Sequence, residues 1–109
     1  MSDIRLVYVA AASAEEAEKI AITTVKERLA ACANILGPIK SIYVWQGKLD
    51  QGSEVALLLK TQQGVADALI SRVRELHSYD CPAILLLPVL GGHPDFLDWV
   101  RAETSPSQV

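Results

Sequence analysis

Apolar side chains fall on both faces of the stretch Ile4 to Ala11, mixed with β-branched and aromatic residues, as a strand buried on two sides requires. The run then stops. Ser13 followed by Glu16 has the spacing of a capping box, in which hydroxyl and carboxylate serve free N–H groups at a helix start. Ala17, Ile20, Ala21, Thr24, Val25 and Leu29 recur at helical spacing, with Glu15, Glu18, Lys19, Lys26 and Glu27 opposite, predicting an amphipathic helix that ends near Ala31. After Gly37-Pro38, the segments Ile39 to Lys48 and Ser53 to Thr61 flank Asp50-Gln51-Gly52, whose turn chemistry predicts a β-hairpin. Val65, Leu69, Val73 and Leu76, with Ala66 and Ile70 beside them, predict a second helix from about Gly64 to His77. Pro82 closes the connection, and a strand from Ala83 to Leu90 follows. Beyond Gly91-Gly92, Phe96, Leu97, Trp99 and Val100 supply a short C-terminal helix, and Thr104 to Val109 reads as a frayed end.

The order β-α-β-β-α-β is that of the ferredoxin-like fold, an α+β sandwich with both long helices on one face of an antiparallel sheet. Residues 1–109 are expected to form a single domain with an ordered core of about 4–102. The other sheet face is left open, yet it is apolar too: Ile42 and Val44 point one way, Tyr43 and Trp45 the other, and Val55, Leu57 and Leu59 alternate with Ala56 and Leu58. So much apolar surface demands a cover, and the C-terminal helix is too short to supply all of it. A neighbouring copy of the chain is the expected lid.

Composition narrows the function classes. The chain has 109 residues, half of them apolar, and its formal charge of −3 provides no excess of cations for a nucleic-acid backbone. The longest apolar run, Ala83 to Leu90, is interrupted by Pro88 and is far short of a bilayer span, so no membrane partner is expected. Met1-Ser2-Asp3-Ile4-Arg5 lacks the basic start and apolar stretch of a secretory signal, which predicts a cytoplasmic protein. Cys32 and Cys81, without a CxxC partner, read as free thiols. No phosphate-binding glycine loop or HExxH motif is present and neither cysteine has a nucleophile's local signature, so nothing argues for an enzyme.

Polar residues that interrupt the apolar strands carry the candidate chemistry, since a charge on a sheet face needs a partner, water or a ligand. Glu54 and Lys60 share one face of the third strand, where they serve either as ion pairs at the sheet ends or, with Tyr43 and Trp45, as part of a ligand cleft. His77, Tyr79 and Cys81 cluster at the exit of the second helix, and imidazole and thiolate suit zinc or copper. Such a site requires Cys32 or His93 to be brought close by folding or by another chain. The alternatives are a His77 that completes a helix C-terminus and a Cys32 that packs as a small apolar residue.

In combination, Arg28-Leu29-Ala30-Ala31-Cys32-Ala33-Asn34, Ser41-Ile42-Tyr43-Val44-Trp45-Gln46-Gly47-Lys48, and Glu54 to Lys60-Thr61 resemble the CutA family. His77-x-Tyr79-x-x-Pro82 and Gly92 to Phe96-Leu97-x-Trp99 extend the resemblance over nearly all of residues 4–102. It implies a homotrimer with sheets packed edge to edge and the long hairpin reaching a neighbour. It also implies a cytosolic role in divalent-cation tolerance, with copper or another divalent cation as a non-obligatory ligand at inter-subunit sites. By motif match Cys32, Trp45, Lys60, His77 and Tyr79 belong to that cleft, and Cys32, His77 and Cys81 are the candidate metal ligands. Where the family carries Pro-Glu, His-Pro-Tyr and Thr-x-Pro, this chain has Pro82-Ala83, His77-Ser78-Tyr79 and Ala10-Ala11-Ala12, and Cys81 stands at a usually apolar position. The competing expectations are a PII-like signalling module that binds a small anionic metabolite through Lys60 and Trp45, and a trimeric interaction scaffold.

Overall fold

The computed structural model describes residues 2–105. In chain order these form β1 (Ile4–Ala11), α1 (Ala14–Lys26), β2 (Cys32–Trp45), β3 (Lys48–Gln62), α2 (Gln63–Leu76), β4 (Ile84–Pro88) and α3 (Pro94–Glu103). The strands build one antiparallel sheet in the order β2-β3-β1-β4, and the fold is the expected ferredoxin-like α+β sandwich. Val7 and Val9 of β1 and Leu57 and Leu59 of β3 are fully buried against Ile20 of α1 and Leu69 and Val73 of α2. A bidentate pair from Arg72 to Glu27, at 2.9 Å for each bond, ties the two long helices together.

The α1 capping box forms, with a difference in detail. Glu16 N–H donates to Ser13 Oγ at 3.1 Å, but the Glu16 carboxylate reaches past the cap residue to Ala12 N–H at 2.7 Å. The helix ends at Lys26 rather than near Ala31. Arg28 takes φ +60°, and the N–H groups of Arg28 and Leu29 donate back to Val25 and Thr24 carbonyls, which is a Schellman ending built on arginine instead of glycine. Leu29, Ala30 and Ala31 are buried although they lie outside the helix. Their apolar spacing therefore marked packing, not helix.

The hairpin is longer than its turn residues implied. Its turn is at Gln46-Gly47, both at positive φ as a two-residue type I′ connection requires, while Asp50-Gln51-Gly52 lies within β3. At the other end, β2 begins at Cys32, before the Gly37-Pro38 that seemed to precede the strand, and absorbs an extra residue between Ile35 and Gly37. Gly37 has φ +112° at that bulge.

α3 covers one end of the open sheet face. Val100 and Leu97 pack there with Ile4 and Ala31. The Gln62 side chain donates to the carbonyls of Arg101 and Thr104 and to Thr104 Oγ1, and so leaves α2 without a side-chain cap. Thr104, expected to fray, is buried, whereas residues 106–109 of that tail lie outside the described residues. Among the described residues, no helix is long and apolar enough to cross a membrane.

Candidate functional site

Pairing between β1 and β3 stops at Ala11–Val55, whereas β2 and β3 stay paired out to Trp45–Lys48. The outer part of the hairpin is thus a two-stranded arm, with Val44 68% and Leu49 78% exposed. A cavity of about 710 Å³ opens where this arm leaves the uncovered face. Its walls include Tyr8 of β1, Tyr43 and Trp45 of β2, Glu54 of β3, and Tyr79 and Cys81 from the segment between α2 and β4. Tyr43 and Trp45 are two positions apart, so alternation points both into the same cavity, and Asp50 faces Tyr43 across the hairpin.

Tyr79 is held from behind by His77, with ring centroids 4.7 Å apart. Tyr79 N–H donates to His77 Nδ1 at 3.1 Å, so that nitrogen is the acceptor and Nε2 carries the proton. Nε2 in turn donates to the Ala10 carbonyl at 2.8 Å. With its side chain fully buried and both ring nitrogens engaged, His77 fastens the Tyr79 segment to β1 and offers no free lone pair to a metal. Glu16 completes the attachment by accepting Ser78 N–H at 2.8 Å. Burial alone raises the Glu16 pKa, but the hydrogen bonds from Ala12 and Ser78 and the nearby His77 outweigh it and hold the carboxyl below its ordinary value. Burial and the adjacent Glu54 carboxylate push the Tyr79 hydroxyl up.

Of the residues expected in a cleft, the cavity gathers Tyr43, Trp45, Glu54 and Tyr79, together with the candidate ligand Cys81, while Cys32, Lys60 and His77 do not line it. Lys60 is elsewhere. Its Nζ donates to Asn34 Oδ1 at 2.6 Å and lies 5.6 Å from the Phe96 ring centroid, under α3. Cys32 pairs with Lys60 and borders a separate shallow groove with Ile22 and Val25 of α1. Within one chain, Cys32 is thus apart from His77 and Cys81, and among the described residues no three His, Cys, Asp or Glu side chains converge as a metal set. Exposed His93 lies 4.0 Å from Asp95. Asp50 and Asp80 also line the cavity, and sequence reasoning missed both. Asp50 looked like a turn residue; placing the turn at Gln46-Gly47 would have revealed it as Tyr43's cross-strand partner. Among the described residues of one chain, Asp50, Glu54 and Asp80 stand in the walls without a lysine or arginine, a charge that opposes the anionic ligand Lys60 was expected to hold.

These features define a class: a ferredoxin-like subunit with an aromatic, acid-lined cleft on its uncovered sheet face. Residues 5–103 match the family model of the CutA1 divalent ion tolerance protein, and the chain belongs to that family. The divalent-cation tolerance protein CutA of Thermus thermophilus is 42% identical over 99 residues, covering 91% of this chain and 96% of that protein. The chloroplastic CutA protein of Arabidopsis thaliana is 39% identical over 99 residues, 91% of this chain but 54% of its own length. The chain thus spans about half of the plant and mammalian relatives it matches. The crystal structure of CutA from Xylella fastidiosa superimposes with a TM-score of 0.93 at 36% identity, covering 95% of this chain and all of that one. The expected cytoplasmic placement is not upheld: the Arabidopsis and rice relatives are named chloroplastic, and the Archaeoglobus fulgidus CutA structure is described as that of a periplasmic protein. The lack of a secretory pattern in Met1-Ser2-Asp3-Ile4-Arg5 was the wrong guide, since relatives are named for the chloroplast and for the periplasm.

Proposed function

We propose that the chain is a homotrimeric divalent-cation-binding protein, with copper the foremost ligand, held at the open-face cleft where a neighbouring subunit completes the site. The observation that carries this reading is the cleft itself, where the exposed thiol of Cys81 stands with Asp80 and Glu54 at the foot of an apolar arm. Thiolate and carboxylate together suit a borderline cation, and their incomplete set calls for donors from a second chain. Assembly has its own support. Val44, Leu49, Leu85 and Leu87 are exposed, and β2 and β4 form the two outer edges of the sheet. One edge meeting the other between copies is a heterologous contact, and a rotation of a third of a turn between neighbours closes it into the three-membered ring proposed here.

Light scattering tests the trimer, and copper titration of metal-free protein tests the site. Cys81→Ser is expected to weaken copper binding by roughly tenfold or more, as loss of a thiolate ligand does. Retention unchanged in Cys81→Ser but lost in Cys32→Ser would move the site to the groove beside α1. Retention unchanged in both would remove the thiols from it.

A further inference from the structure

Among the described residues, His77 is the only ionisable one that is buried. Its side chain is 0% exposed within a single chain, so a neighbouring subunit adds no contact to it. Two hydrogen bonds hold the neutral ring: Nε2 donates to the Ala10 carbonyl at 2.8 Å, and Nδ1 accepts from Tyr79 N–H at 3.1 Å. A second proton can therefore go only to Nδ1. There it meets the Tyr79 N–H as donor against donor, and that bond is lost. The Glu16 carboxylate of α1 is the acceptor within reach, its Oε2 3.6 Å from Nδ1, beyond a hydrogen bond to the neutral ring but closed by a small turn of the charged one. Its other oxygen already holds Ser78 N–H at 2.8 Å. The remaining charged groups of the adjoining elements lie outward. Arg74, Glu75 and Asp80 are exposed, Glu75 pairs with Arg72 at 3.5 Å, and Glu54 of β3 stands by the Tyr79 hydroxyl. β1 presents only the Ala10 carbonyl.

We infer that His77 is a proton-operated latch: on protonation its Nδ1 exchanges Tyr79 N–H for the Glu16 carboxylate, Ser78 stays anchored, and the chain is released from Tyr79 onward. Tyr79, Asp80 and Cys81 line the cleft, so acid loosens one wall of it. The latch needs neither the metal nor the assembly of the proposed function, because every group in it belongs to one chain.

The experiment is NMR on the full chain in its native assembly, without added metal, from about pH 8 to about pH 5, the range in which histidine changes charge. Imidazole nitrogen shifts report the proton on His77 Nδ1, with exposed His93 as the internal comparison. Hydrogen exchange, corrected for its intrinsic pH dependence, reports the Ser78 and Tyr79 amides. The amides are read instead of copper affinity, since a thiolate ligand has a pH dependence of its own. Protection of the Tyr79 amide is expected to fall roughly tenfold or more as Nδ1 gains its proton, while Ser78 stays protected. His77→Gln, which offers a donor and an acceptor without titrating, is expected to keep Tyr79 protection constant over the range, its fold verified by circular dichroism. Four results each overturn the latch: Nδ1 without a proton at the acid end in folded protein; a proton on Nδ1 with Tyr79 protection unchanged; equal losses at Ser78 and Tyr79; or the same Tyr79 loss in folded His77→Gln. Should His77→Gln not fold, the three wild-type outcomes decide.

Discussion

Glu16 illustrates how one side chain can set a distant segment. Its carboxylate caps α1 through Ala12 and, 62 positions along the chain, holds Ser78 next to Tyr79. Glu16→Gln is expected to cost about 2 kcal/mol in denaturant unfolding, since two charge-assisted bonds weaken together. The pH dependence follows from the lowered carboxyl. Its stabilisation is full above the ordinary value of 4.5 and is lost as pH falls through the folded-state value beneath it, so wild type and Glu16→Gln should converge in acid. The cap was legible, because Ser13 and Glu16 have the local spacing of one. The reach to Ser78 was not, because nothing near Glu16 in sequence records a partner brought in by α2. His77 was misleading for the same reason: its residue type advertises a ligand, whereas its surroundings occupy both nitrogens.

At the scale of elements, apolar periodicity located all seven, and the errors lay at their ends. The α1 spacing ran on through Leu29 because the buried residues after the Schellman turn continue to face the core. Asp50-Gln51-Gly52 has stronger turn chemistry than its place in β3 uses, while Gln46-Gly47, with one ordinary residue at φ +51°, makes the turn. Cross-strand pairing over the whole hairpin outweighs that local cost. Gly47, at φ +80° with open space around it, is the position that permits the turn. Gly47→Val is therefore expected to lose about 1–2 kcal/mol through backbone strain alone, read as a lower melting temperature without loss of core packing in near-UV circular dichroism.

For the molecule as a whole, alternation along the strands foresaw an uncovered apolar face, and α3 covers only the end near Ile4 and Gln62. Most of the cleft could be read from Tyr43, Trp45, Glu54 and Tyr79. Its sign of charge could not, because Lys60 shares a sheet face with Glu54 but lies six positions along β3, beyond the reach of the arm's cavity. If a second copy covers the arm, Val44→Asp, which puts an unpaired charge into that contact, should weaken association by roughly tenfold or more and lower the solution mass at micromolar concentration. An unchanged mass would leave the arm outside the interface.

The extra residue in β2 has a further consequence. Before it, Cys32 and Asn34 share the face of Lys60 and Leu58; after it, the odd-numbered Ile39, Ser41, Tyr43 and Trp45 occupy that face. Leu36 thus acts as a phase change in the chain. Its deletion would remove the bulge and let Gly37 follow Ile35 in regular alternation, so Tyr43 and Trp45 would keep Asp50 and Lys48 as cross-strand partners and stay on the cleft face. What the bulge supplies is a bend and extra twist in β2 where the strand heads into the arm, so Leu36 bears on the direction of the arm and not on which side chains face the cleft.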